Sequence, residues 1–190
     1  MPGDNKGARR KGNKKCLACM VAGIIAQILI IVLFVLLVMR IRNLKVRLSS
    51  VAVENLGVNF SASSPSFRMN LTALVTVKNT NFGHFKFSNS TATFSYRGTK
   101  VGEGTILQAR VRARSTKKLN VTVSVDSKKV SRKSLLHSDI NSGVLKLSSY
   151  AKLSGKTHLF KAFKKKKYAE MKCTMELNTK TKAIQNLACK

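Results

Sequence analysis

Residues Cys16–Met39 read CLACMVAGIIAQILIIVLFVLLVM, 24 positions with no charge and one strongly polar side chain, Gln27. A helix rises about 1.5 Å per residue, so this run reaches about 36 Å, enough to cross a hydrocarbon core of about 30 Å with some tilt. A buried helix of a water-soluble domain would be shorter and would show a polar face. The run therefore predicts a transmembrane helix and splits the chain into a basic tail (1–15), the span (16–39) and about 150 residues beyond it.

The rival reading is a cleaved secretory signal. The basic start, Lys6, Arg9, Arg10, Lys11, Lys14 and Lys15, suits both, but the apolar run is longer than a signal core and leads into Met39-Arg40-Ile41-Arg42 without a small-residue cleavage site. An uncleaved signal-anchor is the preferred reading. Six bases before the span face Arg40, Arg42, Lys45 and Arg47 after it, a bias towards a cytoplasmic amino end. Four N-glycosylation triplets, beginning at Asn59, Asn70, Asn89 and Asn120, all lie beyond the span and suit an extracytoplasmic domain. The expected location is the plasma membrane with an extracellular carboxyl domain, or alternatively an endomembrane. Cys16 and Cys19 form Cys-x-x-Cys at the inner edge of the span. No second ligand pair follows to complete a zinc site, so the choice is between reversible palmitoylation and no modification.

Beyond the span the dominant period is two. Met69, Leu71, Ala73, Val75 and Val77 alternate with mostly polar neighbours, as do Ala92, Phe94 and Tyr96, then Leu119, Val121, Val123 and Val125, and finally Met171, Cys173, Met175 and Leu177. Successive side chains on a strand face opposite ways, so these are strands with one buried face and one wet face. That pattern marks antiparallel rather than parallel sheets. Val51–Phe60 reads as an edge strand or a short connection within a membrane-proximal segment, 40–66, and the core is expected to begin near Phe67. Asn79–Gly83, Tyr96-Arg-Gly98 and Gly102-Glu-Gly104 are turn-like, and Thr105–Arg114 supplies a further strand. One short helix is predicted over Lys129–Ile140, with Leu135, Leu136 and Ile140 on one face and Gly143 ending it; Val144–Lys156 then returns to strand, with Leu145, Leu147 and Leu153 inward. The expected fold is an all-β antiparallel sandwich of immunoglobulin or fibronectin type III kind over 67–190, which the pattern supports at least as well as a barrel.

Cys173 and Cys189 are the two cysteines of this domain. A bridge between them would close a 17-residue loop and stabilise the fold by about 3 kcal/mol. The alternative is one buried thiol and one mobile thiol, and the bridge is preferred.

The net charge is +29; removing residues 1–40, with seven bases and one acid, leaves +23 on the remainder. The densest cluster is Lys161 with Lys164, Lys165, Lys166 and Lys167, beside Phe160, Phe163 and Tyr168, while Arg110, Arg112 and Arg114 are expected on one strand face. Such surfaces attract polyanions. Nucleic acid is disfavoured, because no finger, recognition-helix or ribonucleoprotein signature accompanies the charge. Anionic lipid or acidic wall polysaccharide suits the location better, and a merely solubilising surface is the bland alternative. Catalysis is disfavoured too. His84, His137 and His158 lack ligand spacing, the few carboxylates form no pair, and Ser115-Thr-Lys-Lys118 lacks the companion motifs that serine chemistry requires. No cofactor site is legible, and no residue pattern sets an oligomeric state.

Val77-Lys-Asn-Thr-Asn-Phe-Gly-His-Phe-Lys-Phe87, Tyr96-Arg-Gly98, Val101-Gly-Glu-Gly104, Ala113-Arg-Ser-Thr116, Leu119–Val125, Gly143-Val-Leu-Lys-Leu147, Met171-Lys-Cys-Thr-Met175 and Ile184–Cys189 stand in this order. Together they resemble the plant late-embryogenesis-abundant, hydroxyproline-rich glycoprotein family, which includes harpin-induced and race-nonspecific disease resistance-like membrane proteins. The resemblance implies an anchored, non-enzymatic β-sandwich linked to defence or abiotic stress. It supplies no catalytic residue and no cofactor. It names no partner; those expected of the chain are the lipid bilayer, an anionic lipid or acidic polysaccharide, and a membrane or extracellular protein.

Overall fold

The computed structural model describes residues 6–40, 42–159 and 163–190. The chain divides into two compact units, Met1–Ile41 and Arg42–Lys190. The first is the helix α1, Lys6–Met39, whose stretch Cys16–Leu37 is long and apolar enough to cross a membrane and has no part buried against protein.

Among the described residues the second unit holds ten strands: β1 (Lys45–Asn59), β2 (Ser66–Lys78), β3 (His84–Phe87), β4 (Ser90–Tyr96), β5 (Thr99–Ile106), β6 (Ala109–Val111), β7 (Thr116–Asp126), β8 (Val144–Leu159), β9 (Phe163–Asn178) and β10 (Ala183–Cys189). A 3-10 turn, Ser127–Lys129, and the helix α2, Lys133–Ser142, link β7 to β8. Every pairing is antiparallel. The alternation predicts two separately paired sheets, but the ladder is continuous. It runs β1-β2-β7-β5-β4-β8, with β3 following β4 along β8 and β6 paired to the far edge of β3, while β9 pairs with the other side of β8 and β10 with β9. Both walls of the core thus belong to one curled sheet. It nearly closes on itself, with Cys189 Sγ of β10 3.7 Å from the Leu48 carbonyl oxygen of β1.

Two long strands are interrupted in step. β4 and β3 occupy successive lengths of β8, while β5 and β6 pair with them in turn. The breaks, at Ser88–Asn89 and Leu107–Gln108, are joined by Gln108 N–H donating to Asn89 Oδ1 at 2.6 Å.

The buried faces are those the alternation predicts. Phe67, Met69, Leu71, Ala73, Val75 and Val77 of β2 point inward, as do Phe94 and Tyr96, Val121 to Val125, and Met171 to Leu177 at every second position. Each large apolar side chain so buried stabilises the fold by about 1.5–3 kcal/mol relative to an exposed one. Leu44, Val46 and Leu48 also join this core, well ahead of Phe67. Gly102 and Gly104 form no turn. Both lie within β5 where it presses on β7, and a Cβ at Gly104 would stand 2.6 Å from Val123 Cγ2. Glycine is used there for closeness.

The helix starts four residues later than the predicted Lys129 and ends at Gly143. Leu136 and Ile140, four apart, are buried; Leu135 is 37% exposed, because a residue one position back is turned about 100° around the axis. The same helix carries Asp139, whose carboxylate accepts from Tyr96 Oη at 2.6 Å and from Arg97 Nε and Nη2 at 2.9 and 3.0 Å. Burial alone would raise the Asp139 carboxyl, but the hydrogen bonds from Arg97 and Tyr96 outweigh it and hold it below its ordinary value. Burial, then the bond to Asp139, pushes the Tyr96 phenol up to about 12. A carboxylate depressed on folding stabilises fully above its unfolded value, and that contribution is lost as pH falls through the folded one. Tyr96→Phe should therefore cost about 1.5–3 kcal/mol near neutrality and shift the acid limb of the stability profile to higher pH. Urea titrations from pH 7 down to below 4 check this, and an unchanged acid limb would remove Asp139 from the account.

Candidate functional site

At the end of the domain where the chain enters, two buried asparagines build the scaffold. Asn79 Nδ2 donates to the carbonyls of Gly83 (2.8 Å) and Arg112 (3.0 Å), and its Oδ1 accepts from Asn81 N–H (3.0 Å). Asn81 Oδ1 in turn accepts from Arg42 N–H (2.6 Å), and its Nδ2 donates to the Arg42 carbonyl (2.9 Å). These side chains supply hydrogen-bond partners that the irregular β2–β3 loop would otherwise lack, so Asn79, Asn81 and Gly83 can be buried within it. They fix the positions of Arg42, Phe82, His84 and Arg112 together.

On the outer face beside this loop, the register sets Arg110 (β6) opposite Lys86 (β3), Lys86 opposite Lys156 (β8), and Lys156 opposite Lys166 (β9). Their inward neighbours Phe85, Phe87, Val111 and Thr157 are buried, and all four cations are exposed. At about 4.8 Å between strands, the row is about 14 Å long. Like charges directly opposite destabilise a sheet, by about 0.2–1 kcal/mol per pair. Three consecutive pairs of this kind are a poor choice for stability alone.

A second row flanks the first. His84, His158 and Lys164 are cross-strand partners, and the two imidazoles stack with centroids 4.7 Å apart. Arg110 Nη2 lies 3.3 Å from His84 Nδ1, a contact that needs Nδ1 unprotonated. Burial, then the charge of Arg110, then His158, lowers the His84 pKa. An open concavity of about 920 Å³ adjoins these rings, lined by Phe82, His84, Arg110, Arg112, Lys117 and His158. Phe82 is 52% exposed and lies under the Arg114 guanidinium at 4.1 Å.

The carboxylates are elsewhere. Asp126 pairs with Arg68, Asp139 with Arg97, Glu103 with Lys100, Glu170 with Lys152 and Glu176 with Lys146, while Glu54 accepts from Thr72. None of the domain's six acids neutralises the row.

The other residues singled out in the sequence are placed as follows. Strand alternation divides the lysine run, with Lys164 and Lys166 on the outer face and Lys165 and Lys167 on the opposite side of β9; Lys167 Nζ donates to Asn43 Oδ1 at 3.3 Å. Lys161 lies outside the described residues. Arg110, Arg112 and Arg114 do not share a strand face, because β6 ends at Val111 and Arg114 has a positive φ of 51°. Asn59, Asn89 and Asn120 are exposed and Asn70 is half-buried on the outer face of β2. Cys16 and Cys19 are exposed on α1, and among the described residues no group of three His, Cys, Asp or Glu is placed to hold a metal. Cys173 and Cys189 are directly opposite in the β9–β10 register and are bonded, with Cα atoms 4.0 Å apart. Lys86 and Lys156 escape a sequence reading, and so does the joining of Arg110 to Lys166, since only the pairing of four strands brings them together.

The family model described as late embryogenesis abundant protein, LEA_2, matches residues 74–175. The late embryogenesis abundant protein At1g64065 of Arabidopsis thaliana is 30% identical over 186 residues, covering 95% of this chain and 86% of that protein. Among solved structures, a crystal structure of a protein from Archaeoglobus fulgidus is 18% identical, covers 65% of this chain and 94% of its own, and superposes with a TM-score of 0.37. The solution structure of a late embryogenesis abundant protein is 13% identical over 67% of this chain and 70% of its own, with a TM-score of 0.34.

Proposed function

The chain belongs to the late embryogenesis abundant protein family, and on that premise we propose that it is a non-enzymatic, membrane-anchored interaction module of the plant stress or defence response. α1 is its single membrane span, with the amino end in the cytoplasm and the β-domain outside the plasma membrane. The observation that carries this reading is the apolar stretch Cys16–Leu37, none of it buried against protein, joined to a domain that completes its own core from Leu44 onward. An apolar surface of that length left in water would be strongly unfavourable, and a bilayer removes the cost. The basic tail and the outward-facing sequon asparagines support the direction. Cys16 and Cys19, at the start of the apolar stretch, are the positions for acylation at the inner edge.

Protease digestion of intact cells and sealed membranes, combined with glycosidase treatment, tests this. External protease is expected to remove the carboxyl domain from intact cells, and glycosidase to increase gel mobility unless Asn59, Asn70, Asn89 and Asn120 are all changed to Gln. A carboxyl domain fully protected in intact cells and free of glycans would overturn the extracellular orientation.

A further inference from the structure

We infer that the cationic row Arg110–Lys86–Lys156–Lys166, with Phe82 and the His84–His158 stack beside it, is a docking face for anionic phospholipid headgroups of the membrane that holds the anchor. This rests on the anchoring part of the reading above and not on its orientation.

Three observations converge. The row places four exposed cations side by side with no carboxylate among them, an arrangement that gains only when an external anion fills the space between them. Next, the row stands beside the loop to which the chain is fastened: Asn81 holds Arg42 through both backbone groups, and Arg42 is only three residue steps from Met39, the last apolar residue of the run. Three residues reach about 10 Å at full extension, so the anchored chain holds this end of the domain near the headgroup layer. Finally, Phe82 is a large exposed aromatic at that same end, suited to the interface in the way interfacial aromatic side chains are.

Tethering converts the encounter into an intramolecular one, so weak individual contacts suffice. Each cation near an anionic bilayer favours the docked state about fivefold, and four together roughly several hundredfold. A soluble acidic polysaccharide would have to displace lipid from an end of the domain that the tether holds close to the surface. Lipid is therefore the occupant that the connectivity favours.

The chain has no tryptophan, so Phe82→Trp supplies a unique fluorescent reporter. The full chain carrying it is reconstituted into nanodiscs of phosphatidylcholine alone or of phosphatidylcholine with phosphatidylserine, each containing a headgroup-labelled quencher lipid. Both faces of a disc have the same composition, so the direction of insertion does not affect the measurement. Quenching is expected to be at least about twofold stronger in the phosphatidylserine discs, and to fall to the neutral level in 1 M salt, where the screening length is about 3 Å. Lys86→Glu/Lys156→Glu/Lys166→Glu should abolish the difference and the Lys→Gln triple should weaken it, whereas the equal charge change Lys128→Glu/Lys129→Glu/Lys180→Glu should leave it intact. The Gln set keeps the test valid if the Glu set fails to fold. Equal quenching in the two kinds of disc, or a difference that survives charge reversal, overturns the proposal. So does protection of the reporter by polygalacturonate in neutral discs with no response to phosphatidylserine, which would identify the polysaccharide as occupant. Incorporated chain that ignores lipid charge defeats this inference alone; chain that does not incorporate into discs defeats the anchoring reading along with it.

Discussion

Gly83→Ala should destabilise the domain by about 3 kcal/mol, from overpacking that cannot relax. A Cβ at this position would stand 2.1 Å from the His158 carbonyl oxygen, 2.7 Å from its carbon and 3.1 Å from Leu159 Cα. All three are backbone atoms of β8, so no side chain can swing away. The methyl group can be accommodated only if the start of β3 lifts from β8, separating His84 from His158 and disturbing Lys86 opposite Lys156. It would also pull on the carbonyl that Asn79 Nδ2 holds. For a domain of this size the loss corresponds to a fall in Tm of about 6–12 °C. Gly57→Ala is the control: its nearest neighbour, the Arg68 carbonyl oxygen, is 3.9 Å away, and the change should stay within about 0.5 kcal/mol. Thermal unfolding of the full chain in detergent compares the two. Equal Tm values would mean that β3 does not approach β8 as described.

The second large effect concerns the bridge between Cys173 and Cys189. It joins directly opposed residues of β9 and β10, next to the terminal pair in which Lys190 N–H donates to the Lys172 carbonyl at 2.8 Å. Removing it frees a strand whose outer neighbour is the edge of β1. Loop closure over this length stabilises by about 3 kcal/mol, so Cys173→Ala/Cys189→Ala should lower Tm by about 6–12 °C and accelerate amide exchange over residues 183–189 first. Alkylation without reduction should modify Cys16 and Cys19 and spare the other pair. Full alkylation of all four cysteines in native material would remove the bridge from the account.

The strands with uninterrupted alternation were legible from the letters alone, and the reason is physical: a strand half in the core must repeat every second residue. β1 was legible only in its second half. Its pairing with β2 shifts between Leu48 and Ser50 and again between Glu54 and Gly57, and each bulge reverses which residues face inward. A period-two reading loses phase twice within fifteen residues. The paired glycines of β5 look like punctuation in the sequence because glycine is used far more often to turn a chain than to let two strands touch. The disulfide partners could be proposed because no other cysteine of the domain competes. The single-sheet closure could not, since it depends on which edges meet.

The basic site was legible in charge and not in composition of parts. Four consecutive lysines mark β9 as cationic, but alternation divides them between faces. The partners that complete the row lie far away in sequence and are assembled by register alone. Asn79 and Asn81 gave the opposite false signal. Polar residues in a turn look solvated, yet these two are almost wholly buried, because their amides do the work of missing backbone partners.

The clasp between Asn81 and Arg42 also determines how the domain bears mechanical load. A pull arriving along the chain from residue 41 meets this clasp before it reaches Lys45 and the first rung of β1. The two hydrogen bonds share the force in parallel, and Asn79 passes it on to the carbonyls of Gly83 and Arg112. Tension is thus delivered to a loop braced by several segments, whereas a strand pulled from its free end would peel one rung at a time. Under load, the domain hangs from an internal asparagine, and its outermost strand is spared.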